Sequence, residues 1–118
     1  MPGFELFGEE EKKQVNEVLE TGILMRYGFD GPRNGMWKSK ELEAAVCSTF
    51  GSQYAQLTSS GTAALTTAMA ALGVGVGDEV IMPAFTFVAS FEAILSMGAI
   101  PVLVDIDESL TLSPAAVK

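Results

Sequence analysis

Apolar residues change rhythm along this chain, and the changes mark its elements. In residues 9–22, EEEKKQVNEVLETG, Val15, Val18 and Leu19 share one face at helical spacing. Acidic residues fill the first turn and Gly22 can stop the helix. Residues 23–38, ILMRYGFDGPRNGMWK, keep no period and hold three glycines and a proline, which predicts a long loop. Helical spacing returns from about Lys40 to Phe50, with Leu42, Ala45, Val46, Thr49 and Phe50 on one face and Gly51 behind them. From Tyr54 onward the elements shorten. YAQLTS reads as a strand, and Leu65, Ala68, Met69 and Leu72 then recur as a helix. EVIMPA and AIPVLVDI read as buried strands, with a helix over FVASFEAILSMG between them, and SPAAVK resembles the cap and first turn of another helix. Strand and helix alternate, which predicts an α/β fold: a mostly parallel sheet flanked by helices, with right-handed crossovers.

The pattern divides the chain into two parts, residues 1–52 with the N-terminal helices and loop, and residues 53–118 with the α/β alternation. Three parallel strands bury little core and leave an unprotected edge, so the chain is expected to be the N-terminal part of a longer protein. Composition narrows the partners. Hydrophobic residues make up 48% and charged residues 19%, which argues for packing rather than disorder. A net charge of -8 speaks against nucleic acid and anionic membranes. No apolar run matches a membrane span or a signal peptide, and Cys47 is the sole cysteine, so a reducing, cytoplasmic setting is expected. With no histidine in the chain, a Cys–His or Ser–His dyad and most zinc sites are excluded, and Cys47 reads as a small core residue. No metal site is expected.

The chemistry gathers at TSSGTAALTTAMAAL, residues 58–72, where Ser59, Ser60, Gly61 and Thr62 stand between the first strand and its helix. A helix start offers unpaired amides and the positive end of the macrodipole, and glycine admits close approach. A phosphate ligand is the functional reading; an ordinary Ser cap on a tight turn is the plain one. A nucleotide P-loop fails because no lysine follows the turn. GVGVG at Gly73–Gly77 follows a helix and precedes a strand, the reverse of a dinucleotide fingerprint, and reads as a C-cap and turn.

Four ordered blocks then carry a resemblance: SGTAAL, GDEVIMP, TFVAS and GAIPVLVDID. Together they resemble the DegT/DnrJ/EryC1/StrS aminotransferases, pyridoxal-phosphate enzymes of the aspartate-aminotransferase fold (fold type I) that aminate keto sugars. The resemblance runs from about Gly8 to the end and is strongest over residues 57–114. It implies that the chain is the first part of the large coenzyme-binding domain. It also implies that Ser60 and the amides of Gly61, Thr62 and Ala63 hold the phosphate of pyridoxal 5'-phosphate. Phe87 matches the aromatic that stacks on the pyridine ring; by periodicity alone it reads as core, with Phe91, Ile94 and Leu95. Asp105–Asp107 match a structural turn. No catalytic residue is expected within the chain, because the family's coenzyme-carrying lysine and its pyridine-nitrogen aspartate lie downstream. The 118-residue chain alone is therefore expected to be inactive.

Residues 22–40 depart from the family's shorter loop. They hold Arg26, Arg33, Lys38 and Lys40 against Asp30 alone. Solvated charges are one reading; the other is a loop in which Arg26 and Arg33 receive a substrate carboxylate. This loop and the opening MPGFELFGEEEK resemble the family branch acting on acidic keto sugars of the 8-oxo-3-deoxyoctulosonate type. Glutamate as amino donor and a homodimer follow from the resemblance. Two rivals remain: a coenzyme-dependent sugar dehydratase of the same family, and a non-catalytic phosphate-binding α/β domain.

Overall fold

The computed structural model describes residues 3–118. The chain forms two compact units, Met1–Leu57 and Thr58–Lys118.

The first unit is helical. After a short 3-10 turn at Phe4–Leu6 comes α1 (Glu9–Thr21), which starts where the Glu11 carboxylate accepts the Gly8 N–H at 2.8 Å and ends on Gly22 at φ 66°. Acidic residues in its first turn face the positive end of the helix dipole. The predicted loop holds one helical turn, α2 (Asp30–Arg33), and leads into α3 (Lys38–Phe50). That helix begins two residues before the predicted start, at the residue after Trp37, and ends on Gly51 at φ 68°. Cys47 is half-buried in it. The one buried side chain among the described residues of this unit is Arg33; Leu42 and Phe50, predicted to face a core, are exposed.

The second unit has an apolar centre. It contains α4 (Gly61–Ala71), β1 (Glu79–Pro83), α5 (Val88–Ser96) and β2 (Ile100–Val104). The strands pair in parallel, Glu79 opposite Ile100 through Pro83 opposite Val104, and Ala84 extends the ladder with an N–H to Val104 O bond of 2.8 Å. Met82 from β1, Ile94 from α5 and Ala99 ahead of β2 are buried together, with Met69, Val74, Val80 and Met97 around them. Gly98 makes the α5–β2 corner possible. Its φ is 72°, and a Cβ there would lie 2.8 Å from Val76 Cγ2. The GVGVG stretch is the turn after α4: Gly73 and Gly77 take positive φ, and Asp78 Oδ2 accepts the Gly75 N–H at 2.8 Å.

The α/β class and parallel pairing hold, but YAQLTS forms no strand. Its backbone finds no ladder neighbour among the described residues. The Leu57 N–H goes instead to Glu43 Oε1 at 2.8 Å, and the Leu57 carbonyl accepts from Gln56 Nε2 at 2.8 Å. Side chains satisfy a peptide that a sheet would otherwise pair. SPAAVK forms a single turn, with Ala116 N–H to Ser113 O at 3.0 Å. No helix is long and apolar enough to cross a membrane, and no group of metal-ligating side chains gathers among the described residues.

Candidate coenzyme site

The α4 start has the build of an anion cradle. Ser60 is its N-cap, with extended backbone, and Ser60 Oγ accepts the Ala63 N–H at 3.1 Å. Thr58 Oγ1 donates to the Ser60 carbonyl at 2.9 Å, and that carbonyl also accepts the Ala64 N–H at 3.0 Å. The Gly61 and Thr62 N–H groups have no acceptor among the described residues. The first turn carries no acidic residue, and a Cβ on Gly61 would meet nothing within 4 Å. Open space, two free amides and an uncompensated helix dipole suit a phosphate. The plain cap is formed, and it leaves the first two amides of the helix without an acceptor. One amide of the three expected, that of Ala63, already serves the cap, which leaves two free donors beside the Ser60 hydroxyl.

Phe87 is the N-cap of α5 and is 77% exposed. The helix begins one residue after this ring, and Ile94, not Phe87, enters the apolar centre. α5 starts beyond the C-terminal end of β1, where ligands gather in open α/β sheets.

Asp107 belongs to a turn. Its Oδ1 accepts the Ser109 N–H at 2.9 Å and the Ser109 hydroxyl at 2.5 Å, and these bonds hold its carboxyl below the ordinary range. A group stabilised in its charged form is a poor proton donor.

The arginine loop is neutralised from within its own unit. Arg26 Nη2 lies 2.8 Å and 2.9 Å from the two Glu43 oxygens and 3.3 Å from Gln56 Oε1. The pairing raises the guanidinium pKa; the Glu43 carboxyl is held low by Arg26 first and by the Leu57 N–H second. Arg33 is 6% exposed. Its Nε donates to Gly28 O at 3.0 Å and its Nη2 to Met25 O, while the guanidinium lies 4.2 Å from the Trp37 ring centroid. Lys40 Nζ lies 3.7 Å from the same ring centroid. Lys38 pairs with Glu17 at 2.7 Å. Arg33, expected to face substrate, has its Nε and Nη2 on the carbonyls of Gly28 and Met25. Arg26 is 41% exposed, and its bonds to Glu43 and Gln56 all use Nη2. Sequence reasoning missed Glu43 and Trp37. Glu43 carried no local signal, since its partner Arg26 is 17 residues away in sequence. Trp37, the one tryptophan, stands beside Lys38 in a basic stretch, and that was a usable cation–π cue.

Comparisons with known proteins identify relatives of the chain. The model of the DegT/DnrJ/EryC1/StrS aminotransferase family matches residues 6–118. A Streptococcus pneumoniae protein described as a sugar aminotransferase, solved in its PMP form, is 33% identical over 94% of this chain and 26% of its own, with a TM-score of 0.80. A 3-amino-5-hydroxybenzoic acid synthase is 35% identical over 94% of this chain and 27% of its own, at a TM-score of 0.83. A GDP-4-keto-6-deoxymannose-3-dehydratase is 28% identical over 86% of this chain and 25% of its own, at 0.68. The chain spans about a quarter of the length of these proteins.

Proposed function

Because the chain belongs to the DegT/DnrJ/EryC1/StrS aminotransferase family, we propose that the protein it comes from is a pyridoxal-phosphate-dependent enzyme that aminates a keto sugar. Glutamate is the proposed donor, and a cytoplasmic homodimer the proposed form. One observation carries the coenzyme assignment: the Gly61 and Thr62 amides have no acceptor among the described residues, at a helix start with no acidic residue in its first turn.

The residues fit the coenzyme as follows. The Gly61 and Thr62 N–H groups bind the phosphate, and Ser60 adds its hydroxyl hydrogen while its oxygen keeps the Ala63 N–H. The exposed Phe87 ring covers one face of the pyridine and excludes water from it. Once bound, the coenzyme supplies the electrophilic carbon and electron-withdrawing ring that amino transfer requires. Arg26 is the proposed contact for an acidic keto sugar of the 8-oxo-3-deoxyoctulosonate type. Its Nη1 donates to the carboxylate, because Nη2 belongs to Glu43.

Gly61→Asp tests the cradle in the full-length protein. An aspartate at the first helical position favours the helix dipole yet repels a phosphate, so the two readings of this turn give opposite signs. Coenzyme affinity is expected to fall at least about tenfold with no loss of melting temperature. Unchanged affinity would sink the assignment. The dehydratase reading draws on the 28%-identical neighbour of that activity. Borohydride treatment of the loaded protein separates the two: a coenzyme-modified lysine peptide supports the aminotransferase, and its absence supports the dehydratase.

A further inference from the structure

Glu43 stands out in the first unit because one side chain does two jobs. Only 13% of it is exposed, yet it lies on a helix whose neighbouring polar residues face outward. Its Oε1 accepts the Leu57 N–H at 2.8 Å, and both oxygens face Arg26 Nη2. Gln56 closes the circuit: its Oε1 accepts from Arg26 at 3.3 Å and its Nε2 donates to the Leu57 carbonyl at 2.8 Å. Leu57 is therefore held on both sides of its backbone by side chains alone. It is also the residue before Thr58, which opens the turn Thr58–Ser60 leading into α4.

We propose that Glu43 is a positioning residue for the coenzyme phosphate: it fixes the Leu57 peptide, and through it the backbone that enters the Thr58–Ser60 turn. This rests on the coenzyme reading above. A phosphate cradle built of main-chain N–H groups works only if their directions are set before the ligand arrives, since a misdirected amide loses most of its charge-assisted bond. The Glu43 carboxylate and the Gln56 amide hold the Leu57 peptide from its two sides. The Arg26 guanidinium keeps that carboxylate charged and aimed.

The test uses full-length protein stripped of coenzyme and titrated with pyridoxal 5'-phosphate, read by visible absorbance. Hydrogen exchange is followed in parallel over residues 54–60. Glu43→Ala is expected to raise the dissociation constant about tenfold and to speed exchange at Leu57. Glu17→Ala serves as control: it breaks the comparable Lys38 ion pair and has no contact with Leu57, so the constant stays within about twofold. Glu43→Ala with wild-type affinity overturns the proposal, as does an equal loss in both variants. If Glu43→Ala does not fold, Glu43→Asp decides. Its carboxylate keeps the charge but falls one methylene short, so the constant rises about threefold or more at a nearly unchanged melting temperature. Wild-type affinity in Glu43→Asp would end the idea. Wild-type protein that takes up no coenzyme defeats the functional reading itself, a result distinct from any variant's.

Discussion

The two units solve the same problem with opposite materials. In Thr58–Lys118, Met82, Ile94 and Ala99 leave water together, and parallel strands set their spacing. In Met1–Leu57 the one buried side chain among the described residues is a charged one, Arg33, and the loop around it is tied by bonds to carbonyls, a ring face and carboxylates. Apolar burial is non-directional and tolerates small errors of placement. Hydrogen bonds to a guanidinium do not, because its planar fork has fixed donor directions. The second unit is thus a scaffold, and the loop of the first is a shaped surface whose geometry depends on individual polar contacts.

That contrast can be attacked at its strongest point first. Ile94→Ala removes a fully packed side chain from the apolar centre and is expected to cost about 3 kcal/mol in urea unfolding. A loss below about 1 kcal/mol would mean the cluster does not hold the unit. Arg33→Ala comes next. It leaves the Met25 and Gly28 carbonyls without their donor, at a cost of about 1–3 kcal/mol, and limited proteolysis should cut within residues 25–37. Arg33→Lys is not expected to rescue, because one ammonium cannot span two carbonyls and stack on Trp37. Rescue by lysine would reduce the clamp to simple charge.

The smallest effect is acid sensitivity. Glu43 and Glu17 are held below their ordinary pKa by Arg26 and Lys38. Lowered carboxylate values stabilise the folded form above the unfolded pKa, and that contribution disappears as pH falls through the folded value. Amides around Leu57 and Arg26 should therefore lose protection, relative to their intrinsic exchange rates, between about pH 5 and about pH 3, while those of α5 keep theirs. Simultaneous loss in both regions would erase the distinction drawn between them.

Much of this was legible from residue spacing. α1 stops at Gly22 and α3 at Gly51 because glycine accepts the left-handed conformation a helix end requires. β1, α5 and β2 lie where the apolar runs put them, and the SSGT turn opens α4. These are local matters, governed by period, caps and backbone freedom within a few residues. YAQLTS misled, since β-propensity describes a segment that fits beside a neighbour and cannot supply one. Phe87 marks a related limit: helical spacing assigns a face but not the residue at which the helix begins.

The amino-acid sequence by itself determined the helices, their ends, the parallel pair and the glycine-opened turn, because each depends on residues near one another in the chain. Only the tertiary structure decided which charges are spoken for. Arg26 and Arg33 carry the same two readings in sequence, until folding brings Arg26 within 2.8 Å of Glu43 and sets the Arg33 guanidinium on its own loop's carbonyls. Electrostatic partners are chosen by distance in space, and spacing in sequence does not encode that distance.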